Sequence, residues 1–311
     1  MRLWQYRYFL DARISPWRRI LAGVGALVLL VISGTLYNNN STTTSASSGS
    51  SRDPNSSGID QVQVKNEQTG TINGKKHTIR ILCYGDSLTA GMAPPSREYC
   101  PYSQALQTTL NDNNNNSDYF FYQADHIGLP GWTTTQFLAA LDDPRKGLRT
   151  ALHSSQHDVD TKLVILLAGT NDIPLLVRSM SLTSHREADH REGHIQNGAS
   201  VLKNNLIRLH DVVLADHTMH SIALAIPPSG RQLTDLSAAR LVDHANEQLQ
   251  QSSRTTPYND TMTFVPFPIS YDEANEHLWS PDGLHLNCEG YELLGKTLAP
   301  IVREVLDKGR T

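Results

Sequence analysis

Cysteine is scarce in this chain, which has three among its 311 residues: Cys83, Cys100 and Cys288. None of them belongs to a Cys-x-x-Cys pair, and this excludes a disulfide-rich scaffold and a zinc ribbon. Cys83 lies in an apolar run and is predicted to be a buried thiol. Cys100 and Cys288 could form one disulfide in an oxidising compartment.

Basic residues are also scarce after the first sixty positions. Those sixty residues hold six Arg, no Lys and three Asp, so the remaining 251 carry 21 basic and 28 acidic side chains, a net charge of −7. Binding to nucleic acid is not expected, because it requires clustered Lys and Arg. A mean hydropathy of −0.38 excludes a polytopic membrane protein, and an apolar content of 39% excludes disorder throughout.

One long uncharged run stands out near the start of the chain. Residues 20–37 contain no charged side chain, and as a helix they would cover about 27 Å, just enough to span a bilayer. Residues 1–19 carry five Arg against one Asp, so the positive-inside bias predicts a cytosolic basic leader at 1–19 and a transmembrane signal anchor at 20–37. The rest of the chain is then lumenal or extracellular. The alternative is a cleaved signal peptide and a secreted protein; a buried core helix leaves the adjoining Arg18 and Arg19 unexplained.

Large apolar side chains are nearly absent from the next segment, since 11 of residues 38–60 are Ser or Thr. Such a segment cannot bury enough surface to offset its ordering entropy. We therefore predict a flexible stalk over 38–75 and a single domain over 76–311. In an exported chain, five Asn-x-Ser/Thr sequons offer glycan acceptors: Asn39, Asn40, Asn55, Asn115 and Asn259.

From about Thr78 onward, short apolar runs alternate with longer stretches of helical spacing. The runs predict strands at 78–85, 119–127, 162–169, 221–227 and 263–269. The stretches predict helices at 101–110, 134–143, 147–154, 195–215, 234–252 and 288–307. This alternation indicates an α/β domain whose parallel sheet is covered on both faces. Ligands bind such sheets at the carboxyl ends of the strands, so the residues that follow each strand are examined first.

Polar or glycine-rich turns follow the first three predicted strands. Ser87 follows the first strand in the sequence Gly-Asp-Ser and offers a hydroxyl, which needs an imidazole to become a nucleophile. Gly131 follows the second strand and lets a backbone N–H approach the same point. Asn171 follows the third strand, and its amide can donate to a developing oxyanion. Each turn taken alone is ordinary turn chemistry.

An aspartate and a histidine three positions apart follow the fifth predicted strand. At this spacing the Asp282 carboxylate can hold the tautomer of His285 and stabilise its cation. Together with the three turns above, this places a nucleophile, two oxyanion donors and an Asp-His pair at one edge of the sheet.

With these residues the chain resembles the SGNH hydrolase superfamily, also called GDSL, over residues 78–307. The four positions that give the superfamily its name fall on Ser87, Gly131, Asn171 and His285. The resemblance implies that Ser87 is the nucleophile, His285 the general base and Asp282 its partner. It implies an oxyanion hole made of the Ser87 and Gly131 N–H groups and the Asn171 side chain. It also implies a three-layer α/β/α sandwich with five parallel strands in flavodoxin-like order. No Gly-x-Ser-x-Gly elbow occurs in the sequence, which argues against the other large serine esterase fold.

The predicted reaction is two-step acyl transfer through an acyl-enzyme on Ser87, without metal or cofactor. Trp132, Ile173 and Trp279 adjoin motif residues and are candidates for the substrate pocket. The histidine-rich segment 184–194 is predicted to be a solvated loop rather than a metal site, because its spacing does not place the three imidazoles on one helical face.

The expected substrate is an ester of a small or medium acyl group, with O-acetyl groups of carbohydrate as the leading class. Lipid acyl chains, as in a lysophospholipase, and transfer of the acyl group to a sugar or alcohol are the alternatives. A noncatalytic binding module on the same scaffold is the alternative from a different class, and it is disfavoured because all the catalytic positions are occupied by the required residue types.

Overall fold

The computed structural model describes residues 77–112, 120–153, 159, 161–183 and 188–309. The predicted leader, anchor and stalk, at 1–19, 20–37 and 38–75, lie outside the described residues and stay predictions. Within the described residues, no helix has both the length and the apolar character that a bilayer crossing requires.

Five parallel strands form the centre of the domain. They are β1 His77–Gly85, β2 Phe120–Gly128, β3 Thr161–Leu167, β4 His220–Leu224 and β5 Met262–Val265. The sheet order is β2-β1-β3-β4-β5, and every neighbouring pair is parallel. This confirms the predicted five-stranded parallel sheet and its flavodoxin-like order. Gly85 pairs with both Gly128 and Leu167, so three strands end at one level and bring the residues that follow them to the same edge.

Helices cover both faces of this sheet. In chain order they are α1 Ser87–Ala90, α2 Tyr102–Asp112, α3 Thr134–Ala139, α4 Leu148–Leu152, α5 Asp172–Thr183, α6 Ala188–Leu214, α7 Gly230–Thr234, α8 Leu236–Ser253 and α9 Cys288–Lys308, with a 3-10 turn at Glu276–Leu278. Strand side chains alternate between the two layers: Ile81 and Cys83 pack with α2 and α9, whereas Leu82 and Tyr84 pack with α6 and α8. The predicted three-layer sandwich is therefore confirmed, and Cys83 is a buried free thiol as predicted.

The structure corrects the prediction for the histidine-rich segment. Helix α6 begins at Ala188, seven residues before the predicted start, so most of 184–194 is helical rather than loop. Its Ala, Arg and Glu residues are good helix formers, and the helix reaches the core at the fully buried Ile195. Helix α5 was not predicted at all.

A disulfide joins Cys100 to Cys288, with the two Cα atoms 5.2 Å apart. It connects the loop that leads into α2 to the first residue of α9, across 188 positions of sequence. Since His285 lies three residues before Cys288, this link ties the loop that follows α1 to the segment that carries the histidine.

Removing the disulfide should cost stability chiefly through the unfolded chain. For a loop of this length, we expect Cys100→Ser together with Cys288→Ser to lower the free energy of unfolding by about 2–5 kcal/mol. Urea unfolding with and without dithiothreitol measures this loss. The wild type should shift with reductant and the double variant should not. Equal unfolding midpoints for both proteins without reductant would contradict the prediction.

Candidate active site

Ser87 lies at the carboxyl end of β1, at the start of the short helix α1. The turn before it requires glycine, because a side chain on Gly85 would collide with the Leu167 carbonyl of β3. The Asp86 carboxylate caps α1 by accepting the Leu88 N–H at 3.0 Å. Ser87 is thereby held in a tight turn at the edge of the sheet where ligands bind.

His285 and Asp282 lie on the loop between β5 and α9, and the structure brings both to Ser87. The Nε2 atom of His285 is 2.8 Å from Ser87 Oγ, and its Nδ1 atom is 2.6 Å from Asp282 Oδ2. An ionised carboxylate only accepts hydrogen bonds, so Nδ1 carries the proton and Nε2 accepts from the Ser87 hydroxyl in the neutral ring. This arrangement allows the imidazole to take the hydroxyl proton as the oxygen attacks.

The Asp282 carboxylate is fixed by its own loop. Its Oδ1 atom accepts the backbone N–H groups of Leu284 and His285, each at 3.0 Å. Partial burial raises its pKa, but the hydrogen bonds from the His285 ring and from these N–H groups outweigh burial and hold the pKa below its usual value. Asp282 is therefore a carboxylate at neutral pH and stabilises a cation on His285.

The two predicted oxyanion residues lie on loops that are joined to the turn that holds Ser87 and to each other. Gly131 has φ +80°, a conformation that favours glycine. The Asn171 Nδ2 atom donates to the Trp132 carbonyl at 3.0 Å, which orients its amide and leaves its second N–H for another acceptor. At the base of this edge, the Leu129 N–H donates to the Gly85 carbonyl at 2.8 Å.

Asp172 connects the same two loops, and sequence reasoning gave it no role. Its carboxylate accepts the Thr134 hydroxyl at 2.6 Å and the Thr134 N–H at 2.9 Å, and both residues are buried. Burial raises the pKa of Asp172, although the two hydrogen bonds from Thr134 lower it. The signal in the sequence was its place beside Asn171, but its partner lies 38 positions away and only the fold brings them together.

A cavity of about 230 Å3 lies beside this cluster. Asn171, Ile173 and Asp282 line it, together with Ile226, Ser229 and Gln232 from the connection after β4. Ile173, one of the residues predicted for a substrate pocket, lines this cavity. The connection after β4 was not among the predicted residues, because no catalytic motif marks it.

Trp132 and Trp279, the other two predicted pocket residues, do not line this cavity. Trp279 is buried against Phe267 and Tyr271, and its Nε1 donates to the Ser270 carbonyl at 3.0 Å. The Trp132 ring packs on Phe137. Core packing and hydrogen bonding set the direction of both rings. The position of each tryptophan beside a motif residue in the sequence therefore did not indicate where its ring points.

Asp86 is fully buried beside Ser87, and its Oδ2 atom has no hydrogen-bond partner among the residues that the structure describes. Burial raises its pKa to about 7, although the Leu88 N–H and nearby His285 lower it. The neighbouring carboxylate of Asp172 raises it further. The folded state therefore favours the protonated form of Asp86 more than the unfolded chain does.

Asp86→Asn should make the protein less sensitive to rising pH. From about pH 4 to about pH 7 the unfolded wild type releases this proton and the folded state keeps it, so wild-type stability falls by at most about 1.4 kcal/mol per pH unit. The amide that replaces the carboxyl group does not titrate and still accepts the Leu88 N–H. The free energy of unfolding of Asp86→Asn minus that of wild type should rise between about pH 4 and about pH 7 and stay constant at higher pH.

Thermal unfolding at pH 4.5 and pH 8 measures this change. A useful control is Asp216→Asn, because the Thr218 N–H lowers the pKa of Asp216 and the variant should show no such rise. A stability difference for Asp86→Asn that is the same at both pH values would contradict the assignment.

One group of metal-ligand atoms lies close together among the described residues, formed by Glu98, Cys100 and Cys288. Both sulfur atoms belong to the disulfide, so neither is a thiolate ligand.

A family comparison matches residues 83–293 to the GDSL-like Lipase/Acylhydrolase family. The match covers more than half of the chain and includes Ser87, Gly131, Asn171 and His285, and the chain belongs to this family. The protein is thus an ester hydrolase of the GDSL type, on the fold that the sequence resemblance implied.

Solved structures with a similar fold include three ester hydrolases from bacteria or a metagenome. The lipase Lip_vut3 from a goat rumen metagenome is 16% identical, with a TM-score of 0.51 over 73% of this chain and 97% of that chain. The lipase/acylhydrolase from Enterococcus faecalis is 20% identical, with a TM-score of 0.48 over 74% and 96%. A carbohydrate acetylesterase family member from Sinorhizobium meliloti is 21% identical, with a TM-score of 0.47 over 73% and 99%. No curated protein matches the chain.

Proposed function

We propose that the protein hydrolyses esters of short or medium acyl groups through Ser87, His285 and Asp282. The observation that carries the proposal is the chain of two hydrogen bonds from Ser87 Oγ to His285 at 2.8 Å and from His285 to Asp282 at 2.6 Å. His285 accepts the Ser87 proton as the oxygen attacks the ester carbonyl, and then gives it to the leaving alcohol. Water that His285 deprotonates next attacks the acyl-enzyme and releases the acid.

The oxyanion formed in each step needs donors that are already in place. We assign this role to the N–H groups of Ser87 and Gly131 and to the amide of Asn171. The Asn171 amide is held by the Trp132 carbonyl, so little reorganisation is required when the negative charge develops.

Asn171→Ala should lower kcat by about 100-fold to 1,000-fold, because one oxyanion donor is lost. The protein should stay folded, since Asn171 lies in a turn at the sheet edge. Hydrolysis of p-nitrophenyl acetate measures kcat, and thermal unfolding checks the fold. A kcat within threefold of wild type would contradict the assignment of Asn171 as an oxyanion donor.

The size and polarity of the cavity favour a short acyl group on a polar alcohol. Its volume of about 230 Å3 is below the roughly 300–1,000 Å3 of pockets that hold drug-sized ligands. Ser229, Arg231 and Gln232 on one side of the cavity can hydrogen-bond to hydroxyl groups. O-acetyl groups of carbohydrate are therefore the substrate class that we place first.

Lipid esters are the second candidate, and two exposed leucines favour them. Leu233 and Leu236 are 61% and 66% exposed and lie close in sequence to the cavity-lining Gln232, where they could contact an acyl chain that extends beyond the cavity. Transfer of the acyl group to a sugar or alcohol uses the same residues with a different acceptor.

A panel of substrates tests the proposed specificity on the full-length protein. The panel holds p-nitrophenyl esters from acetate to palmitate and an acetylated oligosaccharide. We expect kcat/KM to be highest for acetate or butyrate and to fall by palmitate. A maximum at palmitate would favour the lipid candidate, and product analysis with added acceptor alcohols would detect acyl transfer.

We also propose that the domain is exported and tethered to a membrane by residues 20–37. The uncharged run, the Arg-rich leader and the Cys100–Cys288 disulfide support this, because disulfides are rare in the cytosol. Protease added to intact cells should digest the domain if it lies on the cell surface, and in sealed microsomes a lumenal domain should be protected until detergent is added. Digestion in sealed microsomes without detergent would contradict export.

A further inference from the structure

The proposed oxyanion donors Gly131 and Asn171 lie on two different loops. Asn171 and the adjacent Asp172 form hydrogen bonds to the loop that contains Gly131. Asn171 binds the Trp132 carbonyl at 3.0 Å, and Asp172 binds Thr134 through both of its carboxylate oxygens. Gly131 lies directly before this pair of contacts. Only Trp132 and Thr133 separate Gly131 from Thr134, so the position of Thr134 constrains the loop that carries the Gly131 N–H.

The contact between Asp172 and Thr134 is short, charge-assisted and buried. Oδ1 accepts the Thr134 hydroxyl at 2.6 Å, and Oδ2 accepts the Thr134 N–H at 2.9 Å. Thr134 is fully buried and Asp172 nearly so. Hydrogen bonds to an ionised acceptor are stronger and more geometrically specific than neutral ones, which makes this contact a rigid connection between α3 and α5.

A third side chain fixes the direction of the Thr134 hydroxyl. The Nδ2 atom of Asn205, on α6, donates to Thr134 Oγ1 at 3.0 Å. The hydroxyl accepts from Asn205, so its own proton is available for Asp172. The neighbouring α6 residues Leu202 and Leu206 are buried in the core, and the helix thus anchors the network to the body of the domain.

Asp172 has no direct route to the substrate. The residues on both sides of it, Asn171 and Ile173, line the cavity, whereas Asp172 does not. As the first residue of α5 it could have been an ordinary acidic residue in the first turn of a helix. Its carboxylate instead accepts two hydrogen bonds from Thr134 at the start of α3. Stabilising the first turn of α5 would not require this contact.

We propose that Asp172 is a positioning residue that sets the separation between the Gly131 N–H and the Asn171 amide by holding Thr134. This inference rests on the proposed function of those two donors. Oxyanion donors act fully only in the transition state, so a small displacement lowers kcat and leaves substrate binding almost unchanged.

Asp172→Asn and Thr134→Val test the contact from both ends in the full-length protein. The first substitution removes the charge and one of the two acceptors, and the second removes the hydroxyl while keeping the shape of the side chain. We expect kcat for p-nitrophenyl acetate to fall by about tenfold to a hundredfold in each variant. KM should stay within threefold of wild type, and the conservative Thr134→Ser should recover most of the wild-type kcat.

A second measurement separates positioning from a loss of stability. Alkyl trifluoromethyl ketones form a tetrahedral oxyanion adduct with a nucleophilic serine, so their affinity reports the oxyanion hole directly. Their inhibition constant should rise in parallel with the loss of kcat. Asp216→Asn is the matched control, because Asp216 accepts the N–H and hydroxyl of Thr218 at 2.9 and 2.8 Å near the amino end of β4. Its kcat and inhibition constant should equal those of wild type.

The outcomes distinguish this inference from the proposed function. A wild-type kcat in both Asp172→Asn and Thr134→Val, with Ser87→Ala inactive, overturns the inference alone. A loss of kcat with unchanged inhibitor affinity also overturns it, since the oxyanion hole is then intact. Hydrolysis by Ser87→Ala overturns the proposed function itself. If Asp172→Asn does not fold, the kcat and inhibitor affinity of Thr134→Val, compared with those of Thr134→Ser, test the inference.

Discussion

Ser87→Ala is expected to lose about a million-fold in kcat, which is the scale seen when a serine nucleophile is removed from a triad. Without Oγ no acyl-enzyme forms, and His285 has no hydroxyl to deprotonate. Any remaining rate comes from the oxyanion donors acting on an attacking water. Hydrolysis of p-nitrophenyl acetate by the purified full-length variant measures the loss.

The chain offers a matched control for this substitution. Ser103, on α2, is also buried and also lies near an imidazole, with its Oγ 3.2 Å from His126 Nδ1. The Ser103–His126 pair joins a helix to the edge strand β2, and neither residue lies in a turn that follows a strand. Ser103→Ala should keep wild-type kcat, and an equal loss in both variants would indicate a general effect of removing a buried hydroxyl.

His285→Ala is expected to lower kcat by about ten-thousand-fold to a million-fold, because Ser87 then loses the base that contacts its hydroxyl. The loss should appear in kcat and kcat/KM together, since the imidazole acts in the transition state. His126→Ala is the control, as it removes the imidazole that contacts Ser103. A kcat for His285→Ala within tenfold of wild type would mean that another group accepts the Ser87 proton.

Much of the fold could be predicted because its strands are strongly apolar. Strands β1 and β3 are buried on both faces of the sheet, and each appears in the sequence as a run rich in Ile and Leu, which Arg80 interrupts in β1. Strand β5 is shorter than predicted and ends at Val265, since Pro266 cannot donate the next ladder hydrogen bond. Periodicity alone gives no strand order, which came from the family resemblance.

The meeting of the proposed catalytic residues could be predicted because each follows a strand. The fold puts the carboxyl ends of neighbouring parallel strands at one edge, so Ser87 and His285 meet although 198 positions separate them. The residues that line and support the cavity had no such signal. The cavity wall after β4 and the contact between Asp172 and Thr134 depend on side-chain directions that are set only by tertiary packing.

The most direct test of the central claim is to identify the residue that a fluorophosphonate probe modifies in the full-length protein. Peptide mapping by mass spectrometry should find the label on Ser87 of the wild type and on no other serine. Ser87→Ala should remain unlabelled, whereas Ser103→Ala should be labelled like wild type. A label on a different residue, or labelling that persists in Ser87→Ala, would contradict the account.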